Sequence, residues 1–263
     1  MADDLPGKRT LVPILSSLAL LLAGCQASTP LPDPTEFPQA VVVQYTPGVR
    51  ILTPVLDACA TEDPDLALFL EETPKPALDL DSPPDGPLRL GLALGEPPEQ
   101  SYAAALSDLP IAVITHPSNP VQRLSADELE AIFTGQIQNW AELGGSDQTV
   151  TPWALTPADE SRQLFEIEIL GEGKISGQTR LAADPAWMLA GVSADRGAVG
   201  YIPVAWLDES VKAVEVEPAL MKALRLPLLA LAGSEPQGAA RRLLVCLQTG
   251  SGQEILKELF RVP

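Results

Sequence analysis

Apolar and polar positions along this chain switch repeatedly between a strand-like pattern and a helical one. Val41-Val42-Val43-Gln44-Tyr45 is a short apolar run of strand length. Thr53-Pro54 follows as a helix start, with Thr53 as a hydroxyl N-cap and proline at the first helical position, and the helix runs through Cys59 to about Ala60. Leu66 to Leu70 fits a strand or a buried helical segment equally, Pro74 to Pro87 is an acidic, proline-rich loop, and Leu88 to Leu94 is another strand. Ile111 to Thr115 reads as a strand. Ser125-Ala-Asp-Glu has capping-box spacing and opens a helix through Phe133. A turn at Asn139-Trp140 leads into a short helix, Ala141 to Leu143, which Gly144-Gly145 ends. A strand at Val150 to Ala154, a helix from Asp159 to Leu170 and strands at Ala198 to Pro203 and Leu226 to Leu231 come next, then helices at Gln237 to Gln248 and Gly252 to Leu259. Alternation of this kind predicts an α/β fold.

The amino-terminal segment follows a different rule. Lys8 and Arg9 precede an apolar run from Leu11 to Ala23, and Leu22-Ala23-Gly24-Cys25 closes it. This is the order of a secretory signal peptide. As a helix the run reaches only about 20 Å, against roughly 30 Å of bilayer hydrocarbon, so it is too short for a permanent span. The last four residues resemble the lipobox of bacterial lipoproteins, which implies cleavage before Cys25 and diacylglycerol on its thiol, hence a chain anchored outside the cytoplasm to the cell membrane. Residues 25–38 are proline-rich and read as an extended tether.

Composition narrows the function more by exclusion than by assignment. The net charge is -18, and Asp3, Asp4, Lys8 and Arg9 cancel, so a chain cut before Cys25 keeps all of it. Such a field repels nucleic acid and does not collect anions, while it keeps an exported protein soluble. With 46% hydrophobic residues, Gln39 to Pro263 fills one large domain or two lobes. Beyond Cys25, Cys59 and Cys246 have two open readings, a disulfide or buried free thiols. His116 is the sole histidine and no Gly-x-Ser-x-Gly elbow is present, so neither nucleophilic catalysis nor a zinc site is indicated. No cofactor is implied. Trp153, Trp187 and Trp206 read as core or edge residues rather than cleft linings.

The stretch from Leu124 to Gly145, with Ile132-Phe133, Gly135, Asn139-Trp140 and Leu143-Gly144, resembles the phosphate-binding members of the type II periplasmic binding proteins. Pro117-Ser-Asn-Pro, Gly197-Ala-Val-Gly-Tyr-Ile, Gly252-Gln-Glu-Ile-Leu and Gly48 through Pro54 match in the same order. The resemblance implies two α/β lobes around a ligand cleft, a small solute as ligand, a partner permease of the ABC type and no enzymatic activity. It places residues 39–113 and 226–263 in the first lobe and 114–225 in the second. Ile132, Phe133, Trp140 and Leu143 would pack the second lobe whatever the ligand.

Positions that hold an oxyanion in that family depart from its pattern here. A Gly-Ser-Ser/Thr-Thr segment becomes Gly48-Val49-Arg50-Ile51, with Thr46 nearby but out of position. A strand-to-loop Asp and Ser become Arg89 and Leu94. Gly-Ser-Gly-Thr-Arg becomes Ala158-Asp159-Glu160-Ser161-Arg162, so Ser161 and Arg162 survive while two carboxylates enter. The resemblance therefore predicts a solute-binding protein for which phosphate fits poorly, or a cleft without small ligand that serves assembly at the membrane. Asp159 and Glu160 are either helix-start acids or partners for Arg50 and Arg89 across the cleft.

Overall fold

The run of valines after the tether is buried because the strand it forms is covered on both faces. In the computed structural model, which describes residues 38–75 and 87–260, β1 (Gln39–Tyr45) lies between parallel partners β2 (Leu66–Glu72) and β3 (Leu88–Leu94). Val41, Val42 and Val43 are all buried, as a two-sided parallel sheet requires. The segment left open at Leu66 is thus a strand, in register with β1 from Gln39↔Leu66 to Tyr45↔Glu72. The leader, Cys25, most of the tether and residues 76–86 of the acidic loop lie outside the described residues.

A 3-10 turn, Pro47–Leu52, leads straight into α1 (Thr53–Glu62). This corrects the expected cap. Leu52 occupies the cap position with a helical backbone, Thr53 is the first helical residue, and no side chain caps this end. The preceding turn already supplies helical dihedrals, so no extended residue is needed before the helix. Pro54 still sits in the first turn, where its missing N–H costs nothing.

The longest strand is the one least visible in the sequence. β4 (Tyr102–Thr115) has 14 residues, of which the pattern revealed only the last five. Tyr102 to Pro110 pairs antiparallel with β11 (Arg225–Ala232), and Ile111 to Thr115 pairs with β8 (Ala198–Pro203). The sheet order is β2-β1-β3-β11-β4-β8-β6-β7, where β6 is Thr151–Leu155 and β7 is Arg180–Ala182, and β9 (Lys212–Ala213) adds to β4. β4 is therefore shared by two halves of one sheet, and its change of partner falls between Pro110 and Ile111.

Against the first half pack α1, α6 (Gly238–Thr249) and α7 (Ser251–Leu259), and a disulfide joins Cys59 of α1 to Cys246 of α6. The second half carries α2 (Ala126–Phe133), α3 (Glu160–Phe165), which continues as a π turn at Glu166–Leu170, and α4 (Pro185–Ala194). A small pair, β5 (Arg123–Leu124) with β10 (Glu215–Val216), and α5 (Pro218–Ala223) complete it. Its core is aromatic. Phe165 stacks on Tyr201 at 4.0 Å and meets Phe133 edge-on at 4.7 Å, and Trp140, also fully buried, donates from Nε1 to the Gly197 carbonyl at 2.9 Å. Leu143 packs, partly buried, against the hydrophobic core.

Among the described residues no helix is long and apolar enough to cross a membrane, and no group of three or more metal-ligating side chains occurs.

Candidate functional site

Two loops face each other where the halves of the sheet meet. From the first half comes the turn after β1, with Thr46, Gly48 and Arg50. From the second come the starts of α3 and α4, with Asp159, Glu160, Ser161 and Asp184. Thr46 and Ser161 are each 1% exposed and Asp159 is 8% exposed, so the halves are closed on one another here.

Arg50 crosses the gap, but not to the residues the sequence suggested. Its Nη2 donates to Asp184 Oδ2 at 2.7 Å, and its Nη1 lies 3.2 Å from Glu72 Oε2 on its own half. Its guanidinium also stands 5.6 Å from the centroid of the Trp206 ring. Trp206 completes the bridge by donating from Nε1 to the Gly48 carbonyl at 2.8 Å. Trp206 therefore joins the two halves while it also packs, partly buried, against the core. Trp187 does sit at an edge, 65% exposed, and Trp153 packs its ring over Gly191.

Asp184 is fixed before Arg50 reaches it. It caps α4, accepting from the Trp187 N–H at 2.9 Å, and Pro185 follows in the first turn. Partial burial disfavours its charge, yet that N–H and Arg50 outweigh burial and hold its carboxyl below the usual range. The hydrogen bond to Asp184 in turn raises Arg50. The pair stays ionised at any ordinary pH.

Arg89 does not reach the second half's acids. It lies 3.7 Å from Glu71 within its own half, where β3 and β2 flank β1. Arg162 is likewise occupied at home, by Glu166 Oε1 at 2.8 Å and the Leu155 carbonyl at 2.8 Å. Asp159 has the structural role: it caps α3, accepting from the N–H groups of Ser161 at 2.8 Å and Arg162 at 3.3 Å. Burial raises its carboxyl, against those two hydrogen bonds.

Glu160 is the acid turned toward the first half. Burial pushes its carboxyl up to about 7, helped by the Asp159 charge and opposed by its own backbone N–H and the Thr46 hydroxyl. Thr46 Oγ1 faces that carboxyl without completing a hydrogen bond of ordinary geometry, and the Ser161 hydroxyl also has no partner. Of the residues singled out in the sequence, Thr46, Gly48 and Arg50 thus lie on the first half and Asp159, Glu160 and Ser161 on the second, while Arg89 and Arg162 are paired within their own halves. Asp184 had a readable signal, the Asp-Pro pair of a helix start. Trp206 had none.

A sequence profile for the PBP superfamily domain matches residues 109–242, just over half of the chain. The phosphate-binding protein PstS of Bacillus subtilis (strain 168) is 32% identical over 143 residues, 51% of this chain and 47% of that protein, so the match spans about half the length of that relative. Among solved structures, a Clostridium perfringens protein crystallised with bound phosphate and described as a phosphate ABC transporter substrate-binding protein superposes with a TM-score of 0.72. It is 23% identical, and the superposition covers 86% of this chain and 100% of that one. An ABC-type phosphate transport receptor from Vibrio cholerae gives a TM-score of 0.64 at 20% identity, with 86% and 100% covered. At these identities the structural likeness establishes the two-lobed α/β fold and not the ligand. The profile match, over more than half of the chain, shows that the chain belongs to the PBP superfamily.

Proposed function

We propose that this chain is an extracytoplasmic solute-binding protein, tethered to the cell membrane by lipid on Cys25, that presents its cleft to a small solute beside a permease of the ABC type. The lobes would divide near 113/114 and 225/226, with the cleft between Thr46, Gly48 and Arg50 on one side and Asp159 to Arg162 and Asp184 on the other. The two-lobed relatives support the binding role, and the leader, lipobox and tether support the location. Phosphate is a poor fit. The observation that carries this is the position of Glu160 and Asp184, two carboxyls at the start of neighbouring helices with one guanidinium between the halves. A second unit charge at 4 Å from an ionised carboxylate is repelled by about 4 kcal/mol at an effective dielectric of 20, and one arginine already committed to Asp184 does not offset two such contacts. A solute with an ammonium group or no net charge meets no such penalty.

Calorimetry with phosphate, sulfate, molybdate, amino acids and polyamines tests this reading. Binding is expected among amines or zwitterions, and submillimolar affinity for phosphate would overturn it. A second reading is a cleft that holds no small ligand in a protein that serves assembly at the membrane. The bridge of Arg50, Asp184, Trp206 and Gly48 favours it, because the chain's own groups link the two halves directly. No heat from any member of the panel is its expected result.

A further inference from the structure

The Pro117-Ser-Asn-Pro motif and Trp140 meet far from the cleft. β6 and β8 run parallel, with Thr151 beside Ala198, and β4 runs against β8, with Thr115 beside Val199. The starts of β6 and β8 and the end of β4 therefore share one end of the second half's sheet. α3, with Asp159 and Glu160, follows the opposite end of β6. At the first end a cavity of about 120 Å³ is lined by Ser118, Asn119, Trp140, Ser146, Gln148 and Arg196.

Its walls are fixed by hydrogen bonds. Trp140 Nε1 is tied to the carbonyl of Gly197, the residue after Arg196, and Asn139 Oδ1 accepts from the Gln148 N–H at 3.2 Å. Lys212 Nζ donates to the Asn119 carbonyl and, at 2.7 Å, to that of Val121. Asn119 itself is only 5% exposed. Its Oδ1 accepts from the Val121 N–H at 3.0 Å, which fixes the orientation of the amide, and its Nδ2 is left with no partner. A buried donor in that condition costs stability until something accepts from it.

The charges here are also out of keeping with the rest of the molecule. Arg196 is exposed and, among the described residues, forms no ion pair or hydrogen bond, whereas every other described arginine has a partner. An unpaired guanidinium is unexpected in a chain with a net charge of -18. Among the described residues no carboxylate lines the cavity. Asp147 and Asp195, beside it in sequence, are both engaged. Asp147 Oδ1 accepts from Asn139 Nδ2 at 2.8 Å, and Asp195 accepts from the Gly197 N–H at 2.9 Å and lies 3.5 Å from Arg180.

We propose that this cavity is a second binding site, separate from the cleft, for a small inorganic oxyanion of the sulfate or phosphate class. Arg196 supplies the charge, in a fork that suits oxyanion geometry, and Asn119 Nδ2, the Ser146 hydroxyl and the Gln148 amide supply neutral donors. The Ser118 hydroxyl is engaged by His116 Nδ1 at 2.8 Å. With no carboxylate to accept the proton of hydrogen phosphate, the site holds sulfate at least as well. One free guanidinium in an acidic field gives a dissociation constant on the order of millimolar.

The test is an NMR titration of the full chain with sodium sulfate and with sodium phosphate at constant ionic strength, with sodium chloride as the control. Saturating shifts are expected at the side-chain amides of Asn119 and Gln148 and at the Trp140 indole N–H. Arg196→Gln and Ser146→Asp, both at exposed positions, should weaken binding by about 10-fold or more, and Arg196→Lys should recover part of it. Shifts that never saturate, equal shifts with chloride, or an Arg196→Gln variant that responds like the parent would overturn the site. Shifts confined to the Trp206 indole and the Glu160 amide would place the ion in the cleft, and would sink both this site and the claim that phosphate fits the cleft poorly.

Discussion

Two glycines show why the apolar motif in the second half is so specific. A Cβ at Gly197 would lie 2.2 Å from the Thr149 carbonyl oxygen, a backbone atom that cannot turn aside. The same residue accepts hydrogen bonds at its carbonyl from the Thr151 N–H at 2.8 Å and from Trp140 Nε1 at 2.9 Å. At Gly200 a Cβ would come within 2.4 Å of Met188 Sδ, and Met188 is itself fully buried. Gly197→Ala must therefore move a strand end, while Gly200→Ala has only to displace a flexible side chain. Losses of about 3 and about 1.5 kcal/mol are expected, respectively. Thermal unfolding should rank Gly197→Ala well below Gly200→Ala, and equal midpoints would contradict the backbone argument. Residues of this sort were legible because close packing restricts them to one type. The contacts across the cleft were not. Arg50 is visible in the sequence as a cation in the turn after the first strand, but its choice of Asp184 over Glu160 depends on where α3 and α4 begin, 134 residues away from Arg50 in the latter case.

At the level of elements, what the sequence revealed is what local chemistry specifies. Ser125 and Glu128 form the full capping box of α2: Ser125 Oγ accepts from the Glu128 N–H at 3.2 Å, and Glu128 Oε2 accepts from the Ser125 N–H at 2.8 Å. Thr53 carries a similar signature before α1 yet caps nothing. Ser125→Ala is accordingly expected to cost about 1 kcal/mol, and Thr53→Ala only a few tenths by the same denaturant measurement. A comparable loss at Thr53 would restore it as a cap. Elements without such signals were missed for a physical reason. α4 reads Pro-Ala-Trp-Met-Leu-Ala-Gly-Val-Ser-Ala, apolar nearly all round, so it has no polar stripe to betray the helical period. The first part of β4, Tyr102-Ala-Ala-Ala-Leu-Ser-Asp-Leu, offers small residues in place of alternation and becomes a strand because β11 pairs with it. Tertiary pairing made that element.

For the molecule as a whole, the ends of the first half are held by one covalent link. Cys59 and Cys246 are 187 residues apart, and the chain between them includes the entire second half. Whether those thiols paired was open in the sequence, because apolar helical surroundings suit a buried thiol as well as a bridge. The fold brings their Cα atoms to 5.9 Å and leaves no side chain at Gly252, where a Cβ would sit 2.7 Å from Cys59 Sγ. Closing so long a loop removes disorder from the unfolded chain worth up to about 5 kcal/mol. That is large beside the 5–15 kcal/mol typical of whole domains. It also opposes a net charge of -18, which favours expansion. The double variant Cys59→Ala, Cys246→Ala should unfold at a lower urea concentration by an amount equivalent to about 2–5 kcal/mol, with the slope of the transition raised as the unfolded chain exposes more surface. Reducing agent should reproduce the shift in the parent and have no effect on the variant. An unchanged urea midpoint on reduction would mean that the packing of α1 against α6 and α7 alone holds this half together, and that the bridge adds no stability.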